Sequence, residues 1–295
     1  MNELGPSPAA KNGWVRFGIV TSLLVALGVM GGAAACKTAA VPLPPGITSR
    51  TEQLNLTGQP VKVDFYLPSG TNPAPVALVA HGWSRSRKNM AGWGGILASN
   101  GFITAVPDAV SQADFSRNSR ALGELLAGLQ SGKFLPQAQP DGRSVLVGFS
   151  LGGLSTLLAA ASNTTVCCWV GLDPVDLRGI GSQVAKALPA SAVVLRAESG
   201  PWNQQGNACR IIEAFPGPLF ALRVKHAVHC DPEHPSNWLG EMACGRTDPA
   251  RREVFQRYAV TALRAAVFGQ GAALRQLEAA TNDPAVADVI LRNFQ

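Results

Sequence analysis

The chain predicts an α/β domain, with a mainly parallel central sheet and helices on both faces, in a single unit. Three observations predict it. Short apolar runs at 75–80, 102–108, 143–147, 166–172, 192–195 and 219–224 have the length of buried strands. Helical stretches alternate with them at 87–100, 117–130, 153–161, 178–188 and 208–215; such alternation implies right-handed crossovers and a parallel sheet. Finally, 295 residues at 46% apolar and 15% charged suffice for one large core. No internal repeat or composition break marks a second domain.

The chain opens with Lys11 and Arg16 ahead of an apolar stretch at 17–30, then Gly31-Gly-Ala-Ala-Ala-Cys36. Charged start, apolar middle and small-residue end form an export signal over 1–35. The apolar stretch is too short to favour a bilayer span. Ala33-Ala-Ala-Cys36 is a degenerate lipobox, so membrane attachment through a lipidated Cys36 stands beside plain secretion. Residues 36–50, with several prolines, predict an extended tether, and 51–295 the folded domain. The expected location is outside the cytoplasm, secreted, periplasmic or lipid-anchored. Export permits disulfides, and five cysteines follow Cys36, an odd number. Neither C-x-x-C nor His/Cys ligand spacing occurs, so no metal is expected. The formal charge of +6 is spread along the chain, without a basic stripe interleaved with aromatics, which argues against nucleic acid.

Residues 54–60 and 61–68 alternate in hydropathy and predict a hairpin at a sheet edge. The strand at 75–80 runs into His81-Gly82-Trp83. The helix at 117–130 carries Leu122, Leu125, Leu126 and Leu129 on one face. The strand at 143–147 leads into Gly148-Phe-Ser-Leu-Gly152 and then a helix. Strand, G-x-S-x-G, helix is the setting that exposes a strained serine at the carboxyl end of a sheet. The strand at 166–172 ends in Asp173-Pro-Val-Asp176, and that at 192–195 near Glu198. The strand at 219–224, taken as the last, is followed by His226, His229 and Asp231. A long amphipathic helix at 249–268 and two shorter helical pieces close the chain.

Trp83, Ser150, Asp173 and His229 all fall at strand ends, where the functional groups of open α/β sheets gather. A serine hydroxyl needs a base, and the base an orienting carboxylate. Ser150, Asp173, His229 satisfies the order nucleophile, acid, base. His229 is favoured over His226 because it stands farther into the loop; His81 and His234 have structural readings. Asp173 is favoured as acid, with Asp176 and Glu198 as alternatives, while Asp231 is too near His229 in sequence. The amides of Leu151 and Trp83 are the expected oxyanion donors.

These residues resemble the α/β-hydrolases of the chlorophyllase / dienelactone-hydrolase-like group, close in architecture to bacterial polyester hydrolases and cutinase-like lipases. The resemblance spans 61–269. Val79-Ala-His-Gly-Trp83 is similar to the oxyanion segment of chlorophyllases, and Gly148-Phe-Ser-Leu-Gly-Gly153 to their G-H-S-R-G-G. Gly171-Leu-Asp-Pro-Val-Asp176 is similar to their G-[IVL]-D-P-V-[DA], and His229-Cys-Asp231 to their H-[LM]-D. The resemblance implies the acid role for Asp173 and the base role for His229. Phe149 and Leu151 replace the family's His and Arg, giving a more apolar rim, and nothing indicates a tetrapyrrole site. Asn207-Ala-Cys209 and Ala243-Cys-Gly245 resemble two cysteine segments of the family, which suggests a Cys209–Cys244 bridge; vicinal Cys167-Cys168 reads as two thiols.

The expectation is an exported serine hydrolase of carboxylic esters, acting on a small or lipid-like ester as a monomer without cofactor. A surface-acting lipase or polyester hydrolase is the alternative within enzymes. The alternative outside them is a non-catalytic envelope binding protein on the same fold, and acyl transfer by the same residues is not separated from hydrolysis.

Overall fold

The computed structural model describes residues 40–70 and 72–294; the expected export signal and Cys36 lie outside them. A single nine-stranded sheet has the order β1-β2-β4-β3-β5-β6-β7-β8-β9. Strands β4 (Ile103–Pro107), β3 (Ala74–Ala80), β5 (Pro140–Phe149), β6 (Val166–Leu172), β7 (Ser191–Arg196) and β8 (Leu219–Val224) run parallel. Antiparallel strands cover both edges. The hairpin β1 (Ile47–Leu56) and β2 (Gln59–Pro68) joins through β4, and β9 (Val286–Arg292) joins through β8.

Successive residues of the central strands point to opposite faces. Val79, Val147, Val170 and Val193 enter one core with Trp93, Phe255 and Leu263. That face is covered by α1 (Ala91–Ser99), α7 (Pro249–Phe268) and α8 (Gly271–Glu278). Leu78, Leu146, Trp169 and Val194 enter the other, under α2 (Phe115–Gln130), α3 (Leu151–Ala161), α4 (Ile180–Ala185) and α5 (Cys209–Ala214). Burial on both faces explains why these strands are continuous apolar runs rather than alternating ones.

Four expectations change. The strand at 219–224 is not the last: β9 follows the closing helices, and its exposed edge position, with Ile290 and Leu291 partly in solvent, hides it as a pattern. β1 begins at Ile47, so the end of the expected tether is strand, paired residue by residue with β2. The expected helix at 87–100 is a 3-10 turn, Arg87–Met90, followed by α1. A seven-residue helix, α6 (Trp238–Cys244), follows the β8 loop where none was expected; Asn237 caps it by accepting from Gly240 N–H. Among the described residues no helix is long and apolar enough to cross a membrane.

Candidate active site

The turn between β5 and α3 is dictated by its glycines. A Cβ on Gly148 would strike the Gly152 carbonyl, and one on Gly152 would strike the carbonyls of His81 and Ala80. Backbone replaces side chain at both positions, and the chain turns within one residue. That residue is Ser150, at φ 55° and ψ −123°. A non-glycine residue there costs about 1–3 kcal/mol, which the surrounding packing must hold.

His229 lies in the loop after β8 and reaches both partners. Its Nδ1 is 2.6 Å from Asp173 Oδ2, and its Nε2 is 2.9 Å from Ser150 Oγ. A carboxylate only accepts, so Nδ1 carries the proton and Nε2 presents its lone pair to the serine hydroxyl. The Phe149 ring sits 4.9 Å from the imidazole, centre to centre, and closes one side of it. Asp173 directly follows β6, buried, at φ 43°. Its Oδ1 accepts from Ala197 N–H at 2.9 Å. Its Oδ2 accepts from Asn203 Nδ2 at 3.0 Å as well as from His229.

The other candidates are occupied elsewhere. Asp176 is buried, with Oδ1 accepting from Gly181 N–H at 2.6 Å. Glu198 pairs with Arg223 and accepts from His226 N–H. Asp231 accepts from Val228 N–H, Asp248 N–H and Arg251 Nε, and so shapes the turn that holds His229. His226 is exposed, and the His234 ring accepts from Gln256 Nε2.

The segment after β3 runs beside the serine: a Cβ on Gly82 would lie 3.0 Å from Ser150 Cβ. His81 shapes this segment. Its Nε2 accepts from Ala109 N–H at 2.9 Å, so its Nδ1 donates to the Gly82 carbonyl at 2.8 Å. Burial pushes its pKa below the usual histidine value, which keeps the ring neutral and this pattern fixed. Of the expected oxyanion donors, Leu151 directly follows Ser150 as the first residue of α3, and Trp83 directly follows Gly82. A small cavity of about 30 Å³ lies at the same sheet edge, bounded by Leu56, His81, Val110, Leu122, Gly152 and Ser155; Ser150 does not line it.

Three features were not read from the sequence. Asn203, expected only as part of a polar loop, touches the Asp173 carboxylate. Arg85, two residues past Trp83, pairs with Glu233 of the His229 loop, and Ser236 Oγ donates to the second Glu233 oxygen at 2.9 Å. Burial raises the Glu233 pKa against the opposing pull of Arg85, Ser236 and His229. The third is the disulfide. Cys244 pairs with Cys230, the neighbour of His229, at a Cα separation of 6.0 Å, and Cys209 is free. The expected Cys209–Cys244 bridge is therefore incorrect. Cys167 and Cys168 are free thiols, as expected.

Among the described residues no cluster of three or more His, Cys, Asp or Glu side chains could hold a metal ion. Compared with known proteins, the chain matches no family model and no curated sequence.

Proposed function

We propose that the protein is an α/β-hydrolase that cleaves carboxylic esters through an acyl-enzyme. The observation that carries this reading is the relay from Ser150 Oγ through the His229 ring to Asp173. His229 Nε2 takes the hydroxyl proton as Oγ attacks the ester carbonyl. Asp173 stabilises the imidazolium without itself taking the proton. The Leu151 and Trp83 amides receive the developing oxyanion. The imidazolium then protonates the leaving alcohol, and water, activated by the same ring, releases the acid. p-Nitrophenyl ester turnover, with fluorophosphonate labelling mapped by mass spectrometry, tests it. Turnover and labelling at Ser150, both lost in Ser150→Ala, are expected. A folded protein that neither turns over nor labels would favour the binding-protein reading.

A second reading, action on lipid or polyester surfaces, has an observation of its own. Trp83 and three residues of α6, Trp238, Leu239 and Met242, are exposed, Met242 at 72%. α6 lies against the Arg85–Glu233 pair: a Cβ on Gly240 would come within 2.9 Å of Arg85 Nη2. Exposed apolar side chains thus stand both on the segment after Gly82 and on the helix packed against Arg85 of that segment, and interfacial substrates require such apolar surface. A rate jump when a short-chain ester passes its solubility limit supports this reading; a plain saturation curve through that limit removes it. Export belongs to the proposal too, supported by the Cys230–Cys244 bridge. The mass of the mature N-terminus would reveal both cleavage and any lipid on Cys36.

A further inference from the structure

We propose that Asn203 is a positioning residue that fixes the Asp173 carboxylate for His229, an inference that rests on the acyl-transfer reading. Asn203 is only 1% exposed, and its amide has no spare bonding capacity. Oδ1 accepts from Gly200 N–H and Gly206 N–H, both at 2.9 Å. These two donors decide which way the amide faces, because nitrogen in that place would meet only N–H groups. Nδ2 must therefore point inward. There it donates to Asp173 Oδ2 at 3.0 Å and to the Glu198 carbonyl at 2.8 Å.

The consequence is geometric. Asp173 Oδ2 receives two donors, the imidazole Nδ1 and the Asn203 amide, while Ala197 N–H holds Oδ1. Three donors fix a flat carboxylate in rotation as well as in place. With Asn203 absent, Oδ2 is held by His229 alone, and the acid follows the ring instead of steering it. The loop carrying Asn203 is anchored in turn to the base: Trp202 Nε1 donates to the Ala243 carbonyl, and Cys244 beside it is bonded to Cys230, the neighbour of His229. Acid and base are thereby braced by one ring of contacts. Gln204 and Gln205, at φ 50° and 60°, sit in the left-handed region to keep the turn in this shape.

Charge gives the readout. Asn203 neutralises part of the Asp173 charge, and losing it leaves only Ala197 N–H and His229 to do so, favouring the imidazolium. The other groups around the ring are Glu233 with Arg85, Asp231 with Arg251, Ser150 and Phe149, and the substitution leaves them in place. Asn203→Ala should lower kcat about 10- to 100-fold, with KM within about twofold, and move the acid limb of kcat/KM to higher pH. Asn203→Asp keeps the acceptor for Gly200 and Gly206 but sets a second carboxylate oxygen against Asp173 Oδ2 in place of the inward donor. The added negative charge favours the imidazolium, so the folded variant should lower kcat and move the limb in the same direction. Either variant, folded and with wild-type kcat and pH profile, overturns the proposal. In the unsubstituted protein, nitrogen-15 NMR should find the Asn203 side-chain protons slow to exchange and shifting together with the His229 titration. Protons that exchange like those of an exposed amide, and ignore that titration, overturn it even if neither variant folds. A wild type without turnover or labelling would instead defeat the hydrolase reading, and the NMR result would remain interpretable.

Discussion

The serine and its two partners are held in different ways. Ser150 is set largely by one contiguous stretch: the end of β5, glycines at 148, 152 and 153, and the first turn of α3. Its strained backbone is enforced by carbonyls of its own turn and of the adjoining β3 end. Asp173 and His229 are set by groups distant in sequence, namely Asn203, Arg85, Cys244 and Arg251. The serine's placement is thus mainly a property of local sequence, and that of the histidine beside it a property of the assembled fold. Damage to the first should remove the site outright. Damage to the second should leave a serine in place with a poorly aimed histidine.

The largest effect is expected at the turn itself. Gly152→Val drives a side chain into the His81 and Ala80 carbonyls and should cost more than about 4 kcal/mol, read as loss of the cooperative thermal transition. Next is Glu233→Ala. It strands Arg85, whose side chain is 12% exposed, and should cost about 3–5 kcal/mol by urea unfolding. Fluorophosphonate labelling should slow but survive, since Ser150 is untouched. Survival of full labelling rate would show that the two loops align without their ion pair. Cys244→Ser opens a loop of 14 residues and should cost about 3 kcal/mol. It should lower kcat more than the stability loss explains, and equal activity at a temperature where both proteins are folded would separate the bridge from the site.

The smallest effect is one of pH. Burial, with Arg252 nearby, lowers the His234 pKa from 6.5 to about 4. The folded state resists the proton that the unfolded chain accepts, so stability is complete above about 6.5 and falls as pH drops towards 4. Because the ring is partly exposed, the slope should be shallow. His234→Asn should flatten the Tm profile over this window, and an unchanged slope would assign acid sensitivity to other groups.

The contrast also explains what the sequence disclosed. The parallel strands were legible because burial on both faces makes each a continuous apolar run. Ser150 was legible because the strand, the glycines and the helix that announce it are contiguous. Asp173 and His229 followed from chain order and resemblance, with Asp176, Glu198 and His226 set aside only once their actual partners were visible. Asn203 was hidden because it acts across 30 residues through the orientation of one amide, and a polar loop signals nothing of the kind. Cysteine spacing carries no pairing information, so Cys244 was matched to the wrong partner. β9 and α6 show apolar residues to solvent, which blurs the hydropathy periods that announce buried elements.

The loop bearing His229 is also fastened to α1 and the turn before it. His234 N–H donates to the Asn89 carbonyl and Gly92 N–H to the His234 carbonyl, each at 2.8 Å, and the Trp93 indole donates to the Pro232 carbonyl at 2.7 Å. A loop riveted at three points to that turn and helix should have no melting event of its own. Heat should therefore abolish the proposed ester hydrolysis only when the whole body gives way, with inactivation and calorimetric curves superimposing rather than separating into an early and a late step.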